Sequence, residues 1–281
     1  MSLREKTYYT LTQFFEKYKN VKLQDKDWTE QNVPTHMGRL EFLIFVLGDK
    51  SINTITRENM RSFRDTLQKL PPNRTKLPEY KDKSVDEIIA INPEKTLNAR
   101  TVNTILQTVS GMFEWAIREG YLESNPAKAL SVKDDRQSSE LKEAFTDDDL
   151  KLLFFSVNYK YEDSKNPAYY WVPLISLYSG MRLEEICQLH CEDLYEEEGF
   201  WIFDIKEENT DGLNDKHIKT KNTKRKIPIH DKLKELGLLE YLENTRTESP
   251  RLFPRLNKTD KTFKYGKQVG KHFSALGTGK Q

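Results

Sequence analysis

The sequence lacks long hydrophobic runs. Its most apolar stretches, such as Trp171 to Leu177, are far shorter than the roughly 18–20 residues of a membrane-spanning helix. Of the 281 residues, 36% are hydrophobic and 32% are charged. At the start of the chain, Met1 to Leu3 leads directly into a charged segment, whereas a secretory leader would continue with an apolar core. We therefore expect a cytoplasmic protein with no transmembrane segment.

Cysteine is also scarce. The two cysteines, Cys187 and Cys191, are four residues apart in a helical pattern and lie beside His190. Three candidate ligands fall short of the usual four of a structural zinc site, and a pair at this spacing is more typical of buried packing. The sequence therefore predicts no disulfide, no bound metal and no cofactor.

The chain has almost no net charge, since it contains 45 basic and 44 acidic residues. The distribution is nevertheless uneven. Residues 184–208 hold ten acids and one base, residues 216–234 hold eight bases and one acid, and residues 255–280 hold seven bases and one acid. Such segregation favours a phosphate-facing surface, although a solvated charged face explains the charge equally well.

The length suits two domains, and the first is predicted to be helical. Apolar residues recur at helical spacing from Phe14, from Leu40 to a stop at Gly48, and from Met60 to a stop at Pro71. The clearest helix has one apolar stripe from Val102 to Ile117. Its opposite face presents polar residues able to reach phosphates or base edges, of which the predicted DNA-binding set is Arg100, Asn103 and Thr104.

A polar run predicts an interdomain linker. The predicted boundaries are a helical domain at 1–130, a linker at 131–145 and a second domain at 146–281, which begins with a capping box at Thr146. In the second domain the patterns predict helices from Ala168 to Tyr178 and from Met181 to His190, a strand from Phe200 to Ile205, and a hairpin from Ile218 to Ile229.

The segment from Leu174 to Leu189 reads L-I-S-L-Y-S-G-M-R-L-E-E-I-C-Q-L. It resembles the first arginine motif of the tyrosine recombinase family, the phage-integrase kind. Arg182 matches the arginine of that motif, and Glu185 matches the glutamate three positions later. Because the two share a helix face, the carboxylate can hold the guanidinium for a bidentate grip on a phosphate. An ordinary exposed ion pair is the alternative.

Three further segments resemble the same family, in the same order. Ile218 to Ile229 resembles its β-hairpin, in which Lys219, or in reserve Lys221, is the candidate catalytic lysine. Glu143 to Leu150 resembles the start of its catalytic domain, and Trp115 to Ala127 resembles the end of its core-binding domain. Together the matches cover nearly the whole chain.

This resemblance implies both a fold and a chemistry. The implied fold is mainly α with a small β-sheet: a SAM-like helical core-binding domain followed by a partial α+β catalytic domain. The implied chemistry is DNA cleavage and rejoining through a 3′-phosphotyrosine, without metal or ATP. Arg182 would stabilise the charge that develops on the phosphate, and Lys219 would protonate the leaving oxygen. Nearby cations would lower the pKa of Lys219; they are Lys221, Lys224, Arg225 and Lys226. Of these, Lys224, Arg225 and Lys226 would also contact DNA.

After Phe273 the sequence shows neither the His-x-x-Arg box nor the nucleophilic tyrosine of the family, and Tyr265 is expected to be a core or surface residue. The chain is therefore expected to bind duplex DNA without cleaving it, as a monomer off DNA, although the family acts as a tetramer. Two alternatives stay open: a non-catalytic DNA-binding remnant of a recombinase, and an unrelated metal-dependent hydrolase. The hydrolase would use the carboxylates of Glu184, Glu185, Glu192 and Asp193.

Overall fold

A computed structural model describes residues 8–134, 144–154, 159, 166–207, 216, 224–258 and 264–277. The chain divides into two compact units, Met1–Lys142 and Glu143–Gln281, which are called unit 1 and unit 2 below. In the described part of the chain, no helix is both long enough and apolar enough to cross a bilayer.

Unit 1 is helical, as predicted. Its helices are α1 (Leu11–Gln24), α2 (Val33–Leu47), α3 (Arg57–Leu67), α4 (Val85–Ile91) and α5 (Ala99–Arg118). Capping boxes at Thr10, Thr56 and Ser84 satisfy backbone N–H groups at the starts of α1, α3 and α4. Gly48, with a φ of 80°, ends α2 and confirms the predicted stop.

The core of unit 1 is built around α5. The predicted stripe is buried, and the side chains of Val102, Val109 and Phe113 are 0% exposed. Helix α5 packs against α2 and α3, and Trp115 contributes to an aromatic cluster with Phe14, Tyr18 and Tyr121. Each fully buried side chain of this size contributes roughly 1.5–3 kcal/mol to stability through the hydrophobic effect. The apolar stripe predicted from helical spacing therefore contributes strongly to the stability of unit 1.

The chain beyond α5 stays attached to unit 1. Asn103 donates from its side-chain amide to the carbonyl of Val132 at 2.8 Å, and its amide oxygen accepts the N–H of Val132 at 2.7 Å. Val132, which the sequence assigned to a linker, therefore pairs with Asn103 on the polar face of α5. The predicted domain boundaries stay a prediction.

Unit 2 combines helices with a small sheet. Its described elements are α6 (Asp147–Phe154), α7 (Pro167–Ser179), α8 (Leu183–Cys187), β1 (Leu194–Glu197), β2 (Phe200–Ile205), β3 (Arg225–Pro228), α9 (Asp231–Glu235), α10 (Leu238–Arg246) and α11 (Gly266–Gly277). The strands form an antiparallel sheet in the order β1-β2-β3. The mainly α fold with a small β-sheet is thus confirmed.

Strand β1 was missed by the sequence analysis. Its residues, Leu194 to Glu197, belong to the acidic run, and only the first of them is buried, so neither composition nor alternation marked a strand. A hairpin turn at Glu198 and Gly199, both with positive φ, returns the chain into β2. The strand exists because β2 pairs with it along its whole length.

The helix predicted from Met181 to His190 is shorter than expected. Gly180 adopts a left-handed conformation and separates α7 from α8, as predicted, but α8 ends at Cys187. His190 then forms an isolated β-bridge with Arg251 and precedes a 3-10 turn at Cys191–Asp193. These long-range contacts with the loop after α10 compete successfully with continuation of the helix.

Cys187 and Cys191 are free and buried in the core of unit 2, which confirms the prediction of packing roles. Burial raises the pKa of the Cys191 thiol to about 11 and moves that of Cys187 in the same direction. Tyr265 is 7% exposed and packs beneath the guanidinium of Arg251, whose carbon lies 3.7 Å from the ring centroid. Tyr265 is thus a core residue of unit 2, which agrees with the expectation that it is a core or surface residue.

Candidate phosphate-binding site

Arg182 stands at the N-cap of α8, directly after the turn at Gly180 that ends α7. Its side chain is 66% exposed. Among the described residues, its guanidinium donates a hydrogen bond only to Glu185, from Nη1 to Oε1 at 2.7 Å. A guanidinium has five N–H donors, so most of the hydrogen-bonding capacity of Arg182 faces solvent.

Glu185 lies in the first turn of α8, and its side chain is only 6% exposed. Besides the Arg182 side chain, it accepts the backbone N–H of Arg182 at 3.0 Å. It also accepts Nη2 of Arg225 at 2.9 Å and Nη1 of Arg225 at 3.4 Å. Arg225 is the first residue of β3, where it is paired with Ile205 of β2. One buried carboxylate therefore holds two guanidinium groups from separate elements; the three residues are called the Arg–Glu–Arg triad below.

The charge state of Glu185 follows from two opposing effects. Burial raises the pKa of its carboxyl group, but the hydrogen bonds from Arg225 and Arg182 outweigh burial, and the net pKa lies below the ordinary value. Glu185 is consequently ionised at neutral pH. The triad then carries two positive charges and one negative charge.

The neighbouring Glu184 binds backbone N–H groups instead of an arginine. Its carboxylate accepts the backbone N–H groups of Tyr265 at 2.7 Å and Gly266 at 3.0 Å, at the start of α11. A Cβ atom on Gly266 would approach Cγ of Leu183 to 2.8 Å and the Glu184 carboxylate to 3.0 Å, so the close approach of α11 to α8 depends on glycine. No sequence signal pointed to this contact.

A second buried ion pair joins Asp193 and Lys216. Nζ of Lys216 lies 2.8 Å from Oδ1 and 2.6 Å from Oδ2 of Asp193, and the two side chains are 2% and 1% exposed. The backbone N–H of His190 also donates to Asp193, at 2.7 Å. Lys216 was predicted only as one member of a basic run, and its burial could not be read from that pattern.

The acidic and basic stretches noted in the sequence largely meet each other. Glu185 pairs with Arg225, Asp193 with Lys216, and Glu197 with Lys226 at 2.6 Å. Hydrogen bonding to Glu197 raises the pKa of Lys226 to about 12. Part of the local positive charge of residues 216–234 is thus neutralised within unit 2. The exposed guanidinium of Arg182 is therefore a stronger candidate for a phosphate ligand than these paired cations.

Other predicted site residues are spread through the chain. Lys219 and Lys221, the candidate catalytic lysines, lie outside the described residues, whereas Lys224 is described and exposed. In unit 1, Arg100 is exposed, and the Thr104 hydroxyl donates to the carbonyl of Arg100 at 2.8 Å. The side chain of Asn103 is already bonded to Val132. A DNA-contact role for these residues stays a prediction.

The carboxylates of the alternative hydrolase site do not converge. Glu184 bonds to the start of α11, Glu185 to two arginines and Asp193 to Lys216, while Glu192 lies 3.9 Å from Lys206. In the part of the chain that the structure describes, no group of three or more potential ligands is arranged to hold a metal ion. The geometry gives the hydrolase hypothesis no support.

Comparison with known proteins finds similarity both in sequence and in fold. No family model matches the chain. A probable integrase/recombinase of Aquifex aeolicus is 22% identical over 205 residues, which cover 67% of this chain and 65% of that protein. The chain therefore spans just under two thirds of the length of this relative.

Two solved structures illustrate the fold similarity. The lambda integrase tetramer bound to a Holliday junction is 15% identical, with a TM-score of 0.58, and the match covers 96% of this chain and 66% of that one. The Tn1549 transposon integrase in complex with a circular intermediate DNA is 17% identical, with a TM-score of 0.61 over 95% of this chain and 77% of that one. The chain thus has the fold of the integrases, with the Arg–Glu–Arg triad in unit 2.

Proposed function

We propose that this chain belongs to the tyrosine recombinase family and contributes DNA binding to a site-specific recombinase of the phage-integrase type. The observation that carries the proposal is the Arg–Glu–Arg triad, in which a buried carboxylate presents the exposed guanidinium of Arg182. The resemblance around Arg182, the similar Aquifex sequence and the shared fold of DNA-bound integrases support it. The type of parent mobile element and the recombination site are left open.

The proposed chemistry is phosphoryl transfer by charge placement. A tyrosine oxygen would attack a DNA phosphate, displace the 5′-oxygen and conserve the ester energy in a 3′-phosphotyrosine. Arg182 would donate hydrogen bonds to the non-bridging oxygens as charge develops, a contribution worth roughly 10²–10³ in rate for a single donor. Lys219, or Lys221 in reserve, would protonate the departing oxygen.

For the 281-residue chain by itself, we propose duplex binding without strand cleavage. Unit 1 would act as the core-binding part and unit 2 as a partial catalytic part, with Lys224, Arg225 and Lys226 near the DNA. The chain would be monomeric off DNA and act in the cytoplasm, whereas the recombinase would assemble on DNA as a tetramer. The alternative is a DNA-binding recombinase remnant, which translation of the source DNA past codon 281 would distinguish.

A salt titration tests the proposal. Fluorescence anisotropy with a labelled mixed-sequence duplex should show affinity falling steeply between roughly 50 and 200 mM salt, because each lysine or arginine bound to a phosphate releases counterions. Arg182→Gln should lower the slope of log affinity against log salt by about 0.9. The matched control, Lys151→Gln, removes an exposed cation of unit 2 that pairs with Asp148, and it should leave the slope unchanged.

Two results would contradict this proposal. Duplex affinity that does not change with salt would remove the electrostatic basis of DNA binding. A covalent protein–DNA product on a nicked duplex, seen as a band resistant to denaturing detergent, would show that the chain cleaves DNA, contrary to the expected binding without cleavage.

A further inference from the structure

The Arg–Glu–Arg triad contains one more arginine than the sequence motif requires. Arg182 and Glu185 are three residues apart on the same short helix, whereas Arg225 reaches Glu185 from β3, forty residues further along the chain. Arg225 directs two of its nitrogens at the carboxylate, at 2.9 and 3.4 Å. This end-on arrangement, with Nη1 facing Oε1 and Nη2 facing Oε2, approaches the fork geometry by which arginine holds carboxylates firmly.

The electrostatic consequence concerns Arg182. With Glu185 alone, Arg182 would form a pair with no net charge, and the carboxylate would offset much of the attraction between the guanidinium and an approaching phosphate. With Arg225 added, the cluster has a net charge of one positive unit, and its negative centre is buried at 6% exposure. The most exposed side chain of the three is Arg182, at 66% against 35% for Arg225.

The second consequence is positional. Glu185 receives the backbone N–H of Arg182 as well as its side chain, so the carboxylate determines where the guanidinium lies. A buried carboxylate needs compensation for its lost hydration, which two guanidinium groups provide better than one. Arg225 therefore holds the acceptor on which Arg182 depends, and it ties α8 to the start of β3.

We propose that Arg225 is a positioning residue that acts through Glu185: it neutralises the buried carboxylate and leaves Arg182 as a fixed, net-positive ligand for one DNA phosphate. This inference rests on the proposed function. It revises the sequence expectation for Arg225, which becomes a residue that acts on DNA through Arg182 instead of touching DNA itself.

A double-mutant cycle tests the proposal. The salt dependence of duplex binding would be measured for the 281-residue chain and for Arg182→Gln, Arg225→Gln and the double variant. Arg225→Gln should weaken binding roughly tenfold, the magnitude expected for losing one charge-assisted hydrogen bond, and should lower the salt slope by about 0.9. The double variant should bind no more weakly than Arg182→Gln alone, because both substitutions remove the same phosphate contact.

Two further variants separate positioning from a general structural role. Arg225→Lys keeps the charge but loses the two-pronged geometry, so it should restore most of the salt slope and only part of the affinity. In a Glu185→Gln background, Arg225→Gln should have no further effect on the slope. Circular dichroism would reveal whether Arg225→Gln folds. If it does not, Arg225→Lys still tests the proposal. Lys151→Gln again serves as the matched control.

Each other outcome has a definite meaning. If the losses of duplex affinity add fully in the double variant, Arg225 contacts DNA independently of Arg182. If Arg225→Gln leaves affinity and salt slope unchanged, Arg225 only stabilises the fold. Either result would overturn the inference. A failure of the proposed function looks different, since the unsubstituted chain itself would then bind duplex without salt dependence.

Discussion

Unit 1 and unit 2 bury different kinds of side chain. The core of unit 1 is almost entirely apolar and aromatic, and its central helix could be predicted from one stripe of residues. Unit 2 has an apolar core of similar kind, but it also buries Glu185, Asp193 and Lys216. Buried charges require a partner in the right place, and those partners come from distant parts of the chain. Unit 1 is therefore maintained by periodic packing, whereas unit 2 also depends on a few long-range ionic contacts.

The largest effect should come from breaking the buried pair in unit 2. Lys216→Met leaves the Asp193 carboxylate buried without its main partner, and we expect a loss of about 3–5 kcal/mol in the free energy of unfolding. Urea unfolding would measure the loss, and hydrogen exchange would assign it to unit 2. The double variant Asp193→Leu with Lys216→Met should recover most of it, since two apolar residues need no partner. A single variant as stable as the original chain would contradict the importance of this pair.

In unit 1, the corresponding loss of stability should come from a substitution that creates a cavity in the apolar core. Leu106 is 1% exposed on α5, and Leu106→Ala should cost about 2–5 kcal/mol, through lost burial and the cavity that remains. Hydrogen exchange should become faster in unit 1. The exposed residue Gln107 on the same helix offers a control, and Gln107→Ala should stay within about 0.5 kcal/mol of the original chain.

The smallest expected effect is a pH dependence of the stability of unit 2. The pKa of Glu185 is lowered in the folded protein from an ordinary value of 4.5, so its ionic contacts stabilise unit 2 fully above that value and are lost as the pH falls below it. The stability difference between the original chain and Glu185→Gln should therefore be constant from about pH 7 to about pH 5 and shrink below about pH 4.5. Thermal melts across this range would measure it. A difference that grows on acidification would mean that the folded-state pKa is raised.

The features that could be predicted from the sequence are those that depend on neighbouring residues. Helix α5, the capping box at Thr146, the break at Gly180 and strand β2 all follow from signals within a few residues, and each is present. The motif around Arg182 was likewise local, because Glu185 lies one helical turn away. The early end of α8 was missed because it depends on a bridge between His190 and the distant Arg251. Strand β1 was missed because its acidic and mostly exposed residues show no apolar alternation.

Local sequence patterns were enough to predict the helical periodicity of unit 1, the positions of the main turns and the pairing of Arg182 with Glu185. The three-dimensional fold was needed to show that Arg225 shares Glu185, that Lys216 is buried against Asp193, and that Glu184 holds the start of α11. The physical reason is range. Periodicity and capping act between residues three or four positions apart, whereas an ion pair forms wherever the fold brings two charges together, and a run of lysines and glutamates does not specify which of them will meet.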